Sequence, residues 1–244
     1  MKGRDQTMQA LREPHGHEIA TRREPGRAAA SIATDALADD DALHLPGRIC
    51  SFARGTEIYA EGSAMDHLYR VVSGAVRICK VMADGRRQIV EFSVAGDTFG
   101  LDGLANHGFS AEAITATTLV CYPRRQLEEA VRQGGHVARL VERMTLNRLV
   151  AAQNCIVMLG RKTAQERVAS FLLEMCQRTT LANAGVLMLP MSRYDIADHL
   201  GLTVETVSRV LGALRREGAI ALADAHNLRV LDRGRLRALS EDRV

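Results

Sequence analysis

Residues 192–218 constrain the fold of this chain more than any other segment, because they read as two short helices joined by a tight turn. We predict the first helix from Arg193 to Leu200, followed by Gly201, since glycine adopts a positive φ without steric cost. Thr203 is a good N-cap for the second helix, and Gly218 suits the position just after its C-terminus. This is the order of a helix-turn-helix, whose second helix enters the major groove of DNA.

The second helix carries a polar trio on its exposed face. Glu205, Ser208 and Arg209 are spaced i, i+3 and i+4, so they project from one side. Arg209 can form a bidentate pair with a guanine, and Glu205 can accept from a cytosine or hold Arg209 in place. Ser208 can reach a base or a phosphate. The alternative is a solvated amphipathic helix, but the agreement of caps, apolar face and polar trio favours reading of DNA.

Contacts to the DNA backbone are expected from residues near this trio. Thr203 and Thr206 lie where a helix N-terminus offers free N–H groups to phosphate. The formal net charge is only +3, so attraction to phosphate must come from local arrangement and not from the whole chain. The predicted backbone contacts are Thr203, Thr206, Arg193, Arg215 and Arg216.

Composition limits the class of protein. The 244 residues allow one large or two small domains, and 46% hydrophobic against 4% aromatic residues predicts an aliphatic core. The five cysteines form no Cys-x-x-Cys pair, which favours free thiols in a reducing compartment. We find no apolar signal-peptide region and no long apolar run, so we expect a soluble, cytoplasmic protein without a membrane partner.

The chain divides into four predicted parts. Residues 1–43 resemble a disordered tail, and residues 44–135 read as short strands broken by glycines, typical of a small β-roll. Residues 136–160 form a long helix, and residues 161–244 form a winged helix-turn-helix domain. In the roll, Asp84-Gly85 predicts a hairpin closed by a type I′ turn.

The long helix is predicted to hold two copies of the chain together. Its apolar positions are close to a heptad seam, and two helix-turn-helix units would read two half-sites. Leu149, Ile156 and Val157 occupy a second face, so one face could pack on the roll and the other on a partner chain. The alternative is a helix buried entirely within one chain. The residues of the predicted seam are Val137, Leu140, Val141, Met144, Ala151, Cys155 and Met158.

The order of these parts resembles the CRP/FNR family of bacterial transcription regulators. Three blocks carry the resemblance, which covers about residues 45–240: Gly74, Gly85 and residues 95–100 in the roll, residues 161–171 at the junction, and residues 189–209 in the helix-turn-helix. The last block is most similar to the FixK and FNR branches. The implied fold is α+β, with an antiparallel, cyclic-nucleotide-binding-like roll, a dimerisation helix and a winged helix-turn-helix.

The resemblance also implies a function. It describes a homodimeric, sequence-specific regulator, most simply an activator, of genes for low-oxygen or nitrogen-oxide metabolism. The matching residues of the family read a TTGAT…ATCAA palindrome, which assigns that role to Glu205, Ser208 and Arg209. The hairpin tip at Asp84, Gly85 and Arg86 aligns with a surface that activators of the family present to RNA polymerase. An ordinary exposed turn is the alternative there.

Departures from the family predict that the chain needs no cofactor. Members that bind cyclic AMP carry a Gly-Glu pair and an Arg-Ser-Ala stretch, whereas this chain has Leu101-Asp102 and Phe109-Ser110-Ala111. Without the arginine a cyclic phosphate loses a charge-assisted contact, so no cyclic nucleotide is expected. Members with an iron–sulfur cluster use several N-terminal cysteines, and here the first cysteine is Cys50.

Two other classes of function remain as alternatives. An effector-gated sensor of the same family would hold haem or another ligand in the roll, with His67, His107 and His136 as candidate ligands. An enzyme is not expected, because the chain contains no Gly-x-Ser-x-Gly elbow, phosphate loop or His-Glu-x-x-His site.

Overall fold

The computed structural model of the protein describes residues 43–178, 186–224 and 226–240. The tail predicted for residues 1–43 therefore lies almost wholly outside the described residues. The N-terminal half is a β-roll with strands β1 (Arg48–Phe52), β2 (Glu57–Tyr59), β3 (His67–Ser73), β4 (Ala75–Val81), β5 (Arg87–Val94), β6 (Thr98–Phe99), β7 (Ser110–Ala113) and β8 (Thr117–Pro123).

The roll consists of two antiparallel sheets that face each other. One has the strand order β1-β8-β3-β6 and the other β2-β7-β4-β5. Side chains from both sheets meet in one buried cluster, in which the rings of Tyr59 and Phe99 each stack against Tyr69. The centre of the roll is thus partly aromatic, which corrects the expectation of a purely aliphatic core.

The hairpin between β4 and β5 forms where the sequence predicts it, but with another turn. The Gly85 N–H donates to the Met82 carbonyl at 2.9 Å, and the Met82 N–H donates to the Arg86 carbonyl at 2.8 Å. Gly85 has a φ of 83°, whereas Asp84 is not among the residues with positive φ. A type I′ turn requires positive φ at both central residues, so that prediction is wrong; one left-handed glycine at the end of the loop is enough.

Two helices follow the roll, α1 (Arg124–Gln133) and α2 (His136–Arg161). Pro123 is the N-cap of α1, and Gly134 and Gly135 separate the helices, both with positive φ. The first turns of α2 pack onto the roll, where Leu140 is 5% exposed beside Leu68 and Tyr122. One side of α2 is therefore used within the chain.

The C-terminal half contains α3 (Ala164–Arg178), β9 (Val186–Met188), α4 (Arg193–Leu200), α5 (Val204–Arg216), β10 (Ile220–Leu222), β11 (Asn227–Val230) and α6 (Arg233–Ser240). A capping box begins α3, because the Thr163 N–H donates to the Glu166 carboxylate at 2.6 Å and the Glu166 N–H donates to Thr163 Oγ1 at 3.4 Å. The predicted two-stranded wing, β10 and β11, is joined by β9 into a sheet of order β10-β11-β9.

The two halves share one buried core. The outer face of the β4–β5 sheet supplies Cys79, Ile89 and Phe92 to the cluster that also holds the helices of the C-terminal half. The Phe92 ring lies against both Phe171 of α3 and His199 of α4, with ring centroids 6.2 and 5.1 Å away. This sheet is covered on both faces, so the roll and the helix-turn-helix are packed together and not merely linked. Among the described residues no helix is long and apolar enough to cross a membrane.

Candidate nucleic-acid interface

The helix-turn-helix has the bounds that the sequence predicts. α4 begins with a capping box, in which Ser192 Oγ accepts from the Asp195 N–H and the Asp195 carboxylate accepts from the Ser192 N–H. α4 ends at Gly201, whose φ of 61° is left-handed. Thr203 caps α5 by accepting from the Thr206 N–H at 3.2 Å. The turn is fixed by a cap on each side of a left-handed glycine, so α5 has a defined direction relative to α4.

The helix α5 has one buried and one open face. Its buried residues are Val207, Val210, Leu211 and Leu214. Glu205 and Arg209 are exposed on the other side, and Ser208 between them is half-buried. A helix held by one apolar face and open on the other can lie in a groove without losing its packing. We call Glu205, Ser208 and Arg209 the reading surface.

Among the described residues, the charges of the reading surface have no charged partner. Arg209 Nη2 donates only weakly, to Thr206 Oγ1 at 3.5 Å. Within the described part of the chain, neither a hydrogen bond nor an ion pair joins Glu205 to Arg209, although sequence left that pairing open. Arg193 Nη1 donates to Ser208 Oγ at 3.3 Å, so α4 orients the hydroxyl of the reading surface. An acid and a guanidinium with free hydrogen-bonding capacity fit recognition of base edges.

The predicted backbone contacts surround this surface. Thr203 and Thr206 lie together at the N-terminus of α5, where Thr203 Oγ1 donates to Thr206 Oγ1 at 3.1 Å. Arg215 and Arg216 are exposed in its last turn, and Arg193 is half-buried beside Ser208. The arrangement offers hydroxyls at one end of the helix and guanidinium groups at the other, as expected for two flanking phosphate contacts.

Most residues of the predicted dimer seam pack within the chain itself. Leu140 is buried in the chain's own core, with Val137, Val141 and Met144 packed around it, and Met158 packs against the C-terminal core. Cys155 is half-buried, and Ala151 alone of the seven is exposed. α2 is apolar on two sides, and this side packs largely within the chain; its assignment to the dimer contact stays a prediction. The exposed large hydrophobic residues of α2 are Leu146, Leu149, Val150, Ile156 and Val157.

Side chains of the chain itself surround His107, one of the candidate haem ligands in the roll. Asp102 accepts from His107 Nδ1 at 2.7 Å and from the Tyr59 hydroxyl at 3.2 Å, and the His107 ring stacks on Tyr59 with centroids 3.5 Å apart. Burial, the Asp102 charge and the hydrogen bond to Asp102 raise the pKa of Tyr59, so it remains a neutral donor. The candidate haem ligands lie on different elements: His107 is in this buried cluster, His67 begins β3 and His136 begins α2.

Arg148 extends from α2 into the roll beside this cluster. Its guanidinium donates to the carbonyls of Leu101 and Thr98 at 3.2 Å, and it pairs with Glu91 at 3.3 Å. The adjoining cavity, lined by Leu68, Leu101, Met144, Thr145 and Arg148, has a volume of about 80 Å³. Ligand pockets measure roughly 300 Å³ or more, so the residues present do not fit a cyclic nucleotide or a haem here.

Sequence reasoning missed the acidic side of α4. Asp195, Asp198 and His199 do not face solvent like the charges of α5 but bind groups of the roll. One signal could have indicated these ion pairs. Acidic residues beside a DNA-reading helix are repelled by phosphate unless a cation neutralises them. The cations, Arg77 and Arg87, are more than a hundred residues away in sequence.

Comparisons with known proteins agree with this architecture. The Crp-like helix-turn-helix domain model matches residues 166–239, and the cyclic nucleotide-binding domain model matches residues 49–133. The chain is 42% identical to the nitrogen fixation regulation protein FixK of Rhizobium meliloti over 80% of this chain and 88% of that protein. It is 37% identical to FixK of Bradyrhizobium diazoefficiens over 93% of this chain and 96% of that protein.

A solved structure has the same fold. The structure of FixK2 from Bradyrhizobium japonicum superposes with a TM-score of 0.78 and 44% sequence identity, covering 82% of this chain and 100% of that one. The chain therefore belongs to the CRP/FNR family of transcription regulators, in its FixK-like branch, and is a DNA-binding transcription activator of that family.

Proposed function

We propose that two copies of the chain bind a TTGAT…ATCAA palindrome and read each half-site with Glu205, Ser208 and Arg209. The observation that carries the proposal is the open face of α5, where an acid and a guanidinium have no charged partner within the described residues. Arg209 pairs with a guanine, Glu205 accepts from a cytosine, and Ser208 contacts a neighbouring base or phosphate. Thr203, Thr206, Arg193, Arg215 and Arg216 bind the flanking phosphates.

Mobility shifts at a stated salt concentration test the reading of bases. Wild type is titrated against the palindromic duplex, a scrambled duplex and a duplex with the guanine of each half-site replaced. Arg209→Ala removes the bidentate contact, so affinity for the palindrome falls by about 1–3 kcal/mol and the guanine replacement no longer matters. Arg237→Ala removes the same charge from an exposed position on α6 and leaves discrimination unchanged. Equal binding of every duplex by Arg209→Ala and wild type would refute the assignment.

The dimer is proposed to form through the exposed side of α2. Leu149 and Ile156 are seven residues apart, as are Val150 and Val157, and Leu146 precedes them on the same side. Ile156 is 71% exposed, and the others are between 53% and 55% exposed. A row of apolar side chains at heptad spacing on a helix of 26 residues is the pattern that pairs two helices.

Sedimentation of two matched variants tests this face. Ile156→Glu places a charge in the row and is expected to give monomers and to abolish binding of the palindrome. Asn147→Glu places the same charge at an exposed position of α2 outside the row, and should remain dimeric. Folding is followed by circular dichroism in both. A dimeric Ile156→Glu would exclude this interface.

The hairpin tip is proposed as the contact with RNA polymerase. Asp84, Gly85 and Arg86 are exposed, and an ion pair of 2.7 Å between Arg86 Nε and Asp84 holds the tip. The proposal follows from the family and from this exposure, with an ordinary turn as its rival. Arg86→Ala should reduce transcription in a reconstituted assay while binding of the palindrome stays unchanged. Unchanged transcription would favour the ordinary turn.

An effector is not needed in this proposal. The cavity of about 80 Å³ and the Arg148 contacts support a roll that is filled by its own side chains. A visible absorption spectrum of the purified protein tests the haem alternative, for which a Soret band is required. Control of low-oxygen or nitrogen-oxide metabolism completes the proposal, and expression profiling of a deletion strain at low oxygen and with nitric oxide tests it.

A further inference from the structure

An ion network joins the helix-turn-helix to the roll. From β5, Arg87 Nε donates to Asp198 and Arg87 Nη2 donates to Asp195, both at 2.8 Å. From β4, Arg77 Nη1 donates to Asp195 at 2.9 Å. The Asp195 side chain is 5% exposed, against 17% for Arg77 and 25% for Arg87. The network is mostly shielded from water, at the edge of a polar cleft of about 320 Å³.

Asp195 belongs to two structures at once. Its Oδ2 accepts from the Ser192 N–H at 3.0 Å and the Ser192 hydroxyl at 2.7 Å, which caps α4. Its Oδ1 accepts from both arginines. Burial raises the pKa of Asp195, but the Ser192 hydrogen bonds and the guanidinium groups outweigh burial and hold the pKa below its usual value. The start of α4 is thus attached to the roll by an ionised carboxylate.

The end of α4 is attached as well. The Gln88 side chain donates to the His199 carbonyl at 3.1 Å, satisfying a carbonyl in the last turn of the helix. His199 Nδ1 donates to the Ile89 carbonyl at 3.0 Å. The recognition helix α5 follows α4 directly through the capped turn at Gly201. Its direction relative to the roll therefore depends on contacts at both ends of α4.

The simplest alternative is that these contacts only add stability. Half-buried ion pairs are poor at that, since the desolvation of each charge offsets much of the attraction. They do restrict the relative orientation of the two groups, because a guanidinium and a carboxylate bind through directed hydrogen bonds. The apolar contact of Phe92 with α3 and α4 already supplies attraction between the halves. The ion network adds a preferred orientation.

We propose that Asp195, with Arg77 and Arg87, is a positioning residue that fixes the orientation of α5 relative to the roll. In a dimer joined through α2, this orientation sets the distance and angle between two recognition helices. It therefore selects the spacing of half-sites that the protein accepts. The inference rests on the proposed function, since spacing has meaning only for a dimer on a palindrome.

The test changes Arg87, because replacing Asp195 would also uncap α4. Arg87→Glu breaks both contacts and repels Asp195. Lys80→Glu is the matched control: it makes the same charge change on the neighbouring strand, where Lys80 pairs with Glu61 of the roll at 2.6 Å. Arg87→Glu with Asp198→Arg restores an ion pair across the same surface. All are full-length chains, and melting temperatures are measured alongside.

The readout is binding to palindromes whose half-sites are moved apart or together by one and two base pairs. Wild type and Lys80→Glu are expected to prefer one spacing. Arg87→Glu should bind that spacing about tenfold or more weaker, a usual size for coupling between sites, with no loss on the shifted duplexes. The double variant should recover the preference. A merely structural role would lower affinity for every spacing equally.

Two results would overturn the proposal. One is an Arg87→Glu protein that keeps both affinity and spacing preference; the other is equal weakening on all duplexes by a folded protein. Should Arg87→Glu melt near the assay temperature, Arg87→Gln is assayed on the same duplexes with the same criteria. Wild type that fails to distinguish the palindrome from a scrambled duplex would refute the proposed function, and the positioning role would fall with it.

Discussion

The charged side chains on the two helices of the helix-turn-helix have opposite environments. On α4, Asp195 and Asp198 are bound by Arg77 and Arg87 of the roll. On α5, exposed Arg209 has, among the residues that the structure describes, only a 3.5 Å hydroxyl contact, and Ser208 is oriented by Arg193. We call the first set, with His199 and Phe92, the docked surface, in contrast to the reading surface. Charges matched within the chain position a helix, whereas charges left open can recognise a partner.

Removing the apolar centre of the docked surface is expected to have the largest effect on the free energy of unfolding. Phe92 is 2% exposed and packs on both Phe171 and His199. Phe92→Ala should lower the free energy of unfolding by about 3–5 kcal/mol, the usual cost of deleting a buried aromatic ring. Urea denaturation measures it, and Leu104→Ala, at a side chain that is 94% exposed, should change little. A loss below 1 kcal/mol would mean that the halves are not packed on this ring.

A change on the reading surface should affect recognition of DNA and leave stability nearly unchanged. Glu205→Ala should cost about 1–3 kcal/mol of discrimination at the cytosine that it is proposed to contact. The free energy of unfolding should change by less than about 1 kcal/mol, since the residue is an exposed acid in the first turn of a helix. Binding to duplexes with that base pair replaced gives the first quantity, and urea denaturation the second. Unchanged discrimination would remove Glu205 from the reading surface.

Thr203 combines a structural role with a proposed contact to DNA. It caps α5 and is a proposed phosphate contact, so Thr203→Ala should lower stability by about 1 kcal/mol and also weaken binding of all DNA sequences alike. Thr203→Ser keeps the hydroxyl and should retain both. Denaturation and the salt dependence of binding separate the effects. A change in base preference would place Thr203 on the reading surface instead.

The smallest expected effect is a pH dependence of the docked surface. Burial lowers the pKa of His199 from its usual 6.5, and the hydrogen bond to the Ile89 carbonyl only partly opposes this. The unfolded chain therefore takes up a proton first, so stability falls as the pH drops below about 6.5 and is fully present above it. Glu174 and Arg178 are the charged groups that act on the ring, with opposite signs.

Melting temperatures between pH 8 and pH 5.5 measure this effect. His199→Gln removes the titrating ring, so its melting temperature should vary less with pH than that of wild type, while base preference stays the same in both. An equal pH dependence in the two proteins would show that His199 is not the titrating group. A shift in base preference would break the separation between the two surfaces.

Much of the fold could be predicted from sequence because its signals are local. The bounds of α4, the caps at Ser192 and Thr203 and the left-handed Gly201 all depend on residues a few positions apart. The bounds of the shortest strands, such as β6 and β7, could not be predicted. β6 has two residues, and β7 is a short stretch of small and polar residues, so neither carries a pattern of its own. They form because neighbouring strands offer them hydrogen bonds.

The sequence by itself determined the helix-turn-helix, its caps and the side of α5 that can meet DNA, because helical periodicity decides them within one turn of chain. Only the tertiary structure decided which side of α2 packs on the roll, since Leu140 and Leu149 are equally apolar in sequence but 5% and 54% exposed in the fold. It alone paired Arg87 with Asp198, 111 residues apart. Ion pairs and the choice between two apolar faces depend on distances in space, which only the folded chain brings about.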